Sequence, residues 1–389
     1  MEVYATVITG FEKVAAKEIS SKIENVRNCQ PYRGNVRFTL EKDSPSETLK
    51  NVLKMRSVDN FYVVFYENVI EGLGKMEKEK AVKTLQNEIS FMNWKIAIEA
   101  WQAANGKSIF GGTDLIVEQM RNFMKTGINA EVTENSPSFR VTCKRAGDKS
   151  AHQFSSMDAA WKFGGQINNV FGWRTSMKQF DIEIVMRIER DSILVMIALN
   201  NESLFKRNIS AYGPTTMRAT MCYSMISIAD PKPGELIIDP MCGGGSIPIE
   251  GACAFSDSFF IGGDNHVLAL ERCFANLKSA SEQFPIPCNF FLWNACHLPF
   301  NDNSVDVIVT DLPFGKKLGS VMDNRLLYPK LLEEWKRILK IGGRLVMMTH
   351  DKRSIDSAIL KDRDAWQTDS TYIVNVGGLS CLCIRLSKI

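Results

Sequence analysis

From residue 234 to the C-terminus, short apolar segments alternate with segments of helical character. The apolar runs predict strands at residues 236–238, 259–262, 289–293, 305–310 and 344–349, then a hairpin at 371–376 and 380–386. Strands that alternate with helices form parallel sheets. The pattern therefore predicts a Rossmann-like α/β domain with a seven-stranded, mostly parallel sheet, and a ligand site at the carboxyl ends of its strands.

The first 200 residues predict one or two smaller α/β units. Strands are expected at residues 4–9, 35–40, 61–66, 138–143, 181–188 and 192–198, and helices at 11–23, 46–55 and 157–168. Residues 70–135 are polar and helical in character. We therefore expect three parts, an N-terminal α/β region over 1–200, a linker over 201–233 and the larger α/β domain over 234–389.

Composition argues against several classes of protein. Of the 389 residues, 45% are hydrophobic and 23% charged, as in soluble globular domains. No apolar run approaches the ~18 residues of a spanning helix, and the first residues lack a signal-peptide pattern. Ten cysteines without a C-x-x-C pair and four separated histidines predict neither disulfides nor a metal site. A cytoplasmic location is expected, with the nucleus as the alternative, and the net charge of +3 leaves nucleic-acid binding to local patches.

A glycine-rich turn, D-P-M-C-G-G-G-S over residues 239–246, follows the first strand of the larger domain. Glycines let the backbone pass close to a ligand. The spacing differs from G-x-G-x-x-G and resembles the turn that cradles the methionine moiety of S-adenosylmethionine. The candidate cofactor residues of this turn are Asp239, Met241, Cys242, Gly243 and Gly245. Asp239 would hold the ligand's ammonium, Cys242 is better explained as small packing, and a tight structural connection is the alternative for the glycines.

The next two strands also end in polar residues. Asp264 and Asn265 follow the second strand, where an acid suits the two ribose hydroxyls of a nucleoside. Asn294 and Ala295 follow the third strand, where a side-chain amide suits the adenine amino group. For Asn294, a cap of the strand end is nearly as good an explanation.

The fourth strand ends in Asp311-Leu312-Pro313-Phe314, which looks like the catalytic motif of amino-group methyltransferases. The Asp311 carboxylate and the Leu312 carbonyl can accept the two N–H bonds of a base amine, Pro313 fixes the turn, and Phe314 offers a face to an unstacked base. This strand end lacks the cysteine that carbon-5 methylation of pyrimidines requires. A plain strand-to-loop turn is the alternative. Lys316 and Lys317 continue the loop and suit either phosphate contacts or a solvated surface.

Basic residues form two further groups. Arg140, Lys144 and Arg145 surround one strand end and suit phosphates, although an ordinary solvated surface explains them as well. Lys206, Arg207 and Arg218 lie near the expected domain junction, where they suit RNA or a cofactor carboxylate.

With these motifs in place, nearly the whole chain resembles the THUMP-domain-containing protein 3 family of tRNA guanosine-N2-methyltransferases. The resemblance rests on long strings at residues 5–12, 53–60, 139–147, 163–165, 180–183, 213–218, 239–251, 311–316 and 374–379. It departs from the family at Asn294, where an Asp is common, and in a THUMP segment that looks short. The first departure affects the expected adenine contact at the end of the third strand. The second affects the expected RNA contacts of the THUMP region.

We expect the segment 213–216, which includes Thr216, to close over the S-adenosylmethionine cofactor, and Arg218 to suit the cofactor carboxylate. The resemblance implies N2-methylguanosine formation in the tRNA acceptor stem, usually at position six. It also implies a ferredoxin-like and THUMP RNA-binding region that holds the acceptor 3′ end, and a small zinc-containing activator subunit. Two other interpretations remain open. One is N2-methylation of another guanosine or of a small nuclear RNA, and the other is an RNA-binding scaffold without catalysis.

The third predicted strand, C-N-F-F-L-W at residues 288–293, gives an independent argument for a partner. In the methyltransferase strand order this strand lies at the sheet edge, and it is unusually apolar for an exposed edge. An activator that adds a strand there would cover it. Covering helices or a homodimer would serve equally well.

Overall fold

The computed structural model describes residues 1–41, 46–108, 112–282, 285–314 and 321–389. In the N-terminal half the strands are β1 (Glu2–Val7), β2 (Val26–Tyr32), β3 (Asn35–Leu40), β4 (Val58–Val69), β5 (Ser138–Ala146), β6 (Arg174–Thr175), β7 (Ile182–Glu189) and β8 (Ser192–Ala198). The helices are α1 (Glu12–Lys22), α2 (Ser46–Val52), α3 (Lys78–Asn87), α4 (Trp94–Asn105), α5 (Gly112–Thr126) and α6 (Ser156–Phe171). The described strands join in one sheet, in the order β2-β3-β1-β4-β8-β7-β5-β6.

Two of these strands were not predicted. β2 carries mostly exposed side chains and includes Pro31, so its sequence lacks the apolar alternation by which half-buried strands are recognised. It lies at one edge of the sheet, where a proline is tolerated. β6 lies at the other edge of the sheet. It has only two residues, which is too few for any periodic pattern to show in the sequence.

The C-terminal half contains α7 (Ala219–Ala229), β9 (Leu236–Asp239), α8 (Ser246–Ala254), β10 (Phe259–Asp264), α9 (Val267–Ala280), β11 (Cys288–Leu292), β12 (Val305–Asp311), α10 (Val321–Ile338), β13 (Leu339–Thr349), α11 (Lys352–Lys361), β14 (Trp366–Val376) and β15 (Leu379–Lys388). Over the described residues the sheet has seven strands in the order β11-β10-β9-β12-β13-β15-β14. β15 runs antiparallel to both of its neighbours, and the pairs from β11 to β13 are parallel. The predicted sheet is confirmed.

The chain order of the strands reverses between β9 and β12, so the carboxyl ends of these two strands flank a crevice. Asp239 is the last residue of β9 and Asp311 the last of β12. The two strands are in register at Ile237–Val307 and Ile238–Ile308. The topology therefore brings the cofactor turn and the D-L-P-F turn to one place.

The stretch over residues 201–233 is more than a linker. It contains α7, whose side chains are nearly all buried, and Met221, Cys222 and Met225 pack into the same apolar cluster as strands of the larger sheet. A helix that apolar on all sides must be covered all round. Residues 219–229 therefore belong physically to the C-terminal half, whereas the stretch before them also contacts the N-terminal half.

The two halves are packed directly on each other. Ile8, Phe11 and Val14 from the N-terminal half lie in a buried cluster of the C-terminal half. Gly10 has φ +108°, and a Cβ there would lie 2.2 Å from the Ile373 carbonyl oxygen, so only glycine allows this approach. The N-terminal half thus packs directly against the half that contains the crevice.

Candidate active site

The glycine turn has the backbone geometry that its glycines predict. Gly243 and Gly245 have φ +54° and +80°, in the left-handed region that side chains disfavour. A Cβ on Gly245 would lie 2.8 Å from the Phe290 ring, whereas a Cβ on Gly243 would meet nothing within 4 Å. Gly245 is therefore required by packing, and Gly243 leaves open space beside the turn. Met241, half-buried, contributes its backbone N–H to the turn, as described below.

Cys242 is a packing residue, as its small size suggested. Its backbone N–H donates to the Gly263 carbonyl at 2.9 Å, and its buried sulfur lies 3.7 Å from the Cys273 sulfur. The contact with Cys273, together with burial, raises the pKa of the Cys242 thiol well above its usual value. The thiol stays protonated and does not act as a nucleophile.

Asp239 is a buried carboxylate at the start of the turn. Its Oδ1 accepts a hydrogen bond from Thr310 Oγ1 at 2.7 Å and one from the Met241 backbone N–H at 3.1 Å. Burial raises the pKa of Asp239 to about 7, although these two hydrogen bonds lower it. Both of these hydrogen-bond donors are neutral. A buried carboxylate whose charge is not balanced by a neighbouring cation suits a cationic ligand group such as an ammonium.

Asp264, at the end of β10, supports the glycine turn. Its Oδ2 accepts from the Gly243 N–H and its Oδ1 from the His266 N–H, both at 3.0 Å. A carboxylate has further acceptor positions, so Asp264 can still receive ribose hydroxyls. Asn265, the next residue, is exposed.

At the third strand end the structure shows the capping role of Asn294. Its Oδ1 accepts from the Cys296 N–H at 3.0 Å. Ala295 is buried, and its carbonyl accepts from Trp335 Nε1 at 3.2 Å. The adenine contact of Asn294 remains a prediction, and any such contact would use the remaining acceptor capacity of the amide oxygen.

In the D-L-P-F turn, one side-chain oxygen of Asp311 lacks a hydrogen-bond partner among the described residues, whereas the Leu312 N–H and the Pro313 carbonyl are both hydrogen-bonded. Asp311 Oδ1 is buried and has no hydrogen-bond partner among the described residues. Burial, reinforced by the charge of Asp239, raises the pKa of Asp311 well above its usual value. The Leu312 N–H donates to the Met348 carbonyl at 2.9 Å. The Phe314 ring lies 6.4 Å from the His350 ring at 44°.

An unpartnered buried carboxylate costs free energy unless a ligand completes its hydrogen bonds. Asp311 therefore suits an amine of the substrate, and Asp239 suits a cationic group of the cofactor. The open space at Gly243 and the position of Asp264 beside it suit the nucleoside of the cofactor. The residues present thus fit S-adenosylmethionine, which when bound would supply an electrophilic methyl group.

The segment ahead of α7 is tied to this site by one buried side chain, Asn276 of α9. Its Oδ1 accepts from the Ser210 and Ala211 N–H groups at 2.9 and 2.7 Å, and its Nδ2 donates to the Gly244 carbonyl at 2.9 Å. Thr216, farther along this segment, exchanges hydrogen bonds with Gly213. Its cofactor contact remains a prediction.

Arg218 is engaged elsewhere than at the cofactor turn. Its guanidinium lies 4.4 Å from the centre of the Phe205 ring and 3.7 Å from Asp59 Oδ2 of the N-terminal half. The structure therefore places Arg218 at the domain junction, and its expected contact with the cofactor carboxylate or with RNA remains a prediction.

Arg207 likewise contacts residues at the junction, and its expected RNA contact remains a prediction. Its guanidinium contacts both oxygens of Glu250, with the closest approach at 2.8 Å, and also donates to the Leu204 carbonyl. Glu250 is buried and also receives Arg56 at 2.8 Å and Asn208 at 2.7 Å. If Arg207 turned to an RNA phosphate, Glu250 would keep Arg56 and Asn208, but the guanidinium would lose its contacts with both Glu250 oxygens and with the Leu204 carbonyl.

Other predicted RNA contacts border a polar cleft of about 950 Å³ in the N-terminal half. Arg140 and Lys206 line it, together with Arg174 and Lys178. Arg140 is oriented by Glu183 at 3.0 Å and by the Phe180 ring, 3.9 Å from its guanidinium carbon. Lys144 and Arg145 are not part of this lining. Lys144 is exposed on β5, and Arg145 donates to Ser156 Oγ at 3.3 Å.

Lys316 and Lys317 lie outside the described residues. Within the described ranges no group of three or more His, Cys, Asp or Glu side chains is placed to hold a metal ion. Nor does any helix there have the length and apolar character to cross a membrane.

Several site residues escaped the sequence analysis. Thr310, Asn276 and Trp293 each hold a strand end or the glycine turn, with Trp293 Nε1 donating to the Pro240 carbonyl at 3.0 Å. Tyr328 and Asn324 of α10 contact the D-L-P-F turn. Each of them is distant in sequence from the group it holds. Thr310 and Trp293 carried the only local signal, because they directly precede the predicted site residues Asp311 and Asn294.

Comparisons with known proteins agree with this geometry. A THUMP domain model matches residues 114–198, and an RMKL-like methyltransferase domain model matches residues 207–381. The chain is 35% identical to human tRNA (guanine(6)-N(2))-methyltransferase THUMP3, over 96% of this chain and 86% of that protein. Human U6 snRNA (guanine-N(2))-methyltransferase THUMPD2 is 32% identical over 56% of this chain and 42% of its own length.

Among solved structures, TrmN from Thermus thermophilus superposes with a TM-score of 0.74 at 19% identity, covering 100% of this chain and 99% of that one. This likeness concerns the fold of both halves and their arrangement. The identity to the human protein also extends along nearly the whole chain, so both comparisons cover the two sheets and the crevice together. The chain belongs to the THUMP3 family of S-adenosylmethionine-dependent tRNA guanine-N2-methyltransferases.

Proposed function

We propose that this chain methylates the exocyclic N2 of guanosine 6 in the acceptor stem of tRNA. The observation that carries the proposal is the buried, unpartnered Asp311 Oδ1 at the carboxyl end of β12. It lies in the D-L-P-F turn, beside the strand that ends in the cofactor residue Asp239. The named activity of the human relative supplies the nucleotide and its position.

The chemistry requires a poor nucleophile to be improved. The lone pair of the guanine amine is delocalised into the ring, so hydrogen bonds from both N–H groups to acceptors increase the electron density on nitrogen. Asp311 and the Leu312 carbonyl are those acceptors, and they also aim the lone pair at the methyl group. Because burial strips water from Asp311 and raises its pKa, its carboxylate is a strong acceptor for the proton that the methylated amine releases.

The test is methyl transfer to unmodified tRNA, with and without the activator subunit, followed by mass spectrometry of the nucleosides. N2-methylguanosine should form with the wild type and disappear with Asp311→Ala. Mapping of the modified fragment should place it at position 6. Product at another guanosine, or on a small nuclear RNA only, would show that the proposed substrate is wrong and that the proposed N2-methylation is correct. Binding of S-adenosylhomocysteine without product on any RNA would favour the scaffold interpretation.

We propose that the polar cleft holds the 3′ end of the acceptor. It presents Arg140, Arg174, Lys178 and Lys206, which suit phosphates, and the rigid junction keeps it at a fixed distance from Asp311. Lys206→Glu should raise KM for full-length tRNA about tenfold or more, since it replaces a phosphate contact by repulsion. A tRNA lacking its terminal nucleotides should show the same loss with the wild type and no further loss with the variant. Additive losses would place the 3′ end elsewhere.

We propose that the small zinc-containing activator adds a strand to β11. This strand ends the described sheet, and Phe291 and Leu292 are 49% and 58% exposed on it. Phe259 and Phe274 are also exposed nearby, on the adjacent strand and on the helix that packs on β11. An apolar edge of this kind aggregates unless it is covered.

Co-purification tests this partner. Leu292→Glu should abolish co-purification with the activator, and Phe91→Glu should not, since Phe91 is an even more exposed apolar residue but lies in the N-terminal half. If Leu292→Glu retains the activator but converts a dimer to a monomer in sedimentation, the edge is a homodimer interface instead.

A further inference from the structure

A closed network of hydrogen bonds lies beneath the D-L-P-F turn. The Pro313 carbonyl accepts from Tyr328 Oη at 2.6 Å and from Asn324 Nδ2 at 3.1 Å. Tyr328 and Asn324 are four residues apart on α10, so they share one face of that helix. Both acceptor positions of this carbonyl are therefore occupied by one helix.

Tyr328 and Asn324 each make a second hydrogen bond, which fixes their side chains. Tyr328 Oη lies 2.8 Å from Thr349 Oγ1, which receives the Asp351 N–H at 3.0 Å. Asp351 Oδ2 accepts the second N–H of Asn324 at 3.2 Å, which closes the ring. Because a carbonyl can only accept, Tyr328 gives its proton to Pro313, and Thr349 must then donate to Tyr328. We call Asn324, Tyr328, Thr349 and Asp351 the Pro313 network.

All four side chains of the Pro313 network are buried. Burial raises the pKa of Tyr328 far above its usual value, so its hydroxyl remains a donor at any working pH. The network draws on three elements, namely α10, the end of β13 and the start of α11, where Asp351 caps the helix through the Ser354 N–H at 3.2 Å. The direction of the Pro313 carbonyl is therefore set by the packing of three elements rather than by the turn alone.

The tethers lie on both sides of the Leu312 carbonyl. On the preceding side, the Leu312 N–H is held by Met348 of β13. On the following side, proline fixes its own φ and the network holds its carbonyl. One residue before Leu312, Asp311 Oδ1 has no partner among the described residues. The Pro313 carbonyl and the Leu312 N–H are thus both paired, whereas Asp311 Oδ1, which is expected to meet the amine, is unpaired within the part of the chain that the structure describes.

We propose that Tyr328 and Asn324 are positioning residues for methyl transfer. By holding the Pro313 carbonyl against α10, they fix the Leu312–Pro313 peptide, so that the Leu312 carbonyl and the Asp311 carboxylate present two acceptors at a constant separation to the base amine. The inference rests on the proposed function, because it assigns the open acceptors to a guanine N2.

Tyr328→Phe tests the inference with little change in volume. We expect kcat to fall about tenfold, equivalent to about 1.4 kcal/mol of transition-state stabilisation. KM for tRNA and the Kd of S-adenosylhomocysteine, measured by calorimetry, should stay within about twofold, because neither ligand touches the tyrosine. The matched control is Tyr223→Phe, which removes another buried hydroxyl, one that receives Lys22 at 3.1 Å at the domain junction. Its kcat should equal that of the wild type.

A double variant separates positioning from stability. If Tyr328 acts through the turn, adding Tyr328→Phe to Asp311→Asn should lower the residual kcat by less than about twofold, since coupled residues are not additive. Should Tyr328→Phe not fold, Thr349→Val removes the donor behind it and should lower kcat by about threefold. A lower melting temperature with kcat per folded molecule unchanged, or an additive double variant, would overturn the inference. Absence of N2-methylguanosine with the wild type would instead remove the proposed function, and the inference with it.

Discussion

Two carboxylates of the C-terminal half, one in α8 and one at the end of β12, have opposite surroundings. Glu250 of α8 receives two arginines and an asparagine, two of these three donors being supplied by the connecting segment and one by the N-terminal half. Asp311 of β12 has a buried oxygen with no partner among the described residues. A saturated buried charge holds two parts of a protein together, whereas an unsaturated one is available to a ligand. The contrast separates the junction from the catalytic site.

Asp311→Asn gives the largest expected effect on activity. The amide keeps one acceptor but loses the charge, so kcat should fall about 10²–10³-fold, as for loss of one preorganised electrostatic contact. The free energy of unfolding should not fall, because the variant removes a buried charge that has no partner. Single-turnover kinetics and urea unfolding measure the two quantities. Activity within tenfold of the wild type would break the comparison at this end.

Glu250→Gln should have the reverse profile. Arg56 and Arg207 would lose their common charged partner, so the free energy of unfolding should fall by about 2–4 kcal/mol. Turnover per folded molecule should change less than about threefold, since no reacting group is touched. Urea unfolding and active-site titration provide the measurements. If stability is kept while turnover collapses, Glu250 belongs to the site rather than to the junction.

Asp239 is intermediate between the paired Glu250 and the unpartnered Asp311, because its carboxylate accepts two hydrogen bonds from neutral donors. Its titration therefore tests whether an incompletely paired carboxylate binds a ligand. Burial raises its pKa to about 7 from an ordinary 3.8, so the folded protein keeps the proton below that pH and loses it above. Only the ionised form attracts an ammonium, so the affinity for S-adenosylhomocysteine should rise about tenfold between pH 6 and pH 8. Calorimetry at several pH values tests this, with Asp239→Asn expected to bind weakly at every pH. An unchanged pH slope in the variant would assign the titration to another group.

Asn294→Ala should give the smallest effect. Its Oδ1 already accepts the Cys296 N–H, so the side chain behaves mainly as a strand-end cap. The affinity for S-adenosylhomocysteine should fall less than about threefold, corresponding to a partial loss of one exposed hydrogen bond. A loss of tenfold or more would show that the amide contacts adenine despite its capping role.

The candidate site could be predicted wherever its chemistry is local in sequence. The D-P-x-C-G-x-G and D-L-P-F strings occupy consecutive residues, so glycine and proline restrict their backbone whatever surrounds them. Roles that depend on a partner could not be predicted in this way. Arg207 looked like an RNA contact because its sequence does not reveal that Glu250, 43 residues later, faces it. Tyr328 and Asn324 had no motif at all.

The sequence by itself predicted the strands of the seven-stranded sheet and the two turns that follow β9 and β12. Apolar periodicity and glycine placement encode these features over short stretches of chain. The tertiary structure alone decided which buried charges are paired, which carbonyls are saturated and which segment joins the halves. Those outcomes depend on hydrogen-bond donors that lie far apart in the chain and meet only after packing, as at Glu250 and at the Pro313 carbonyl.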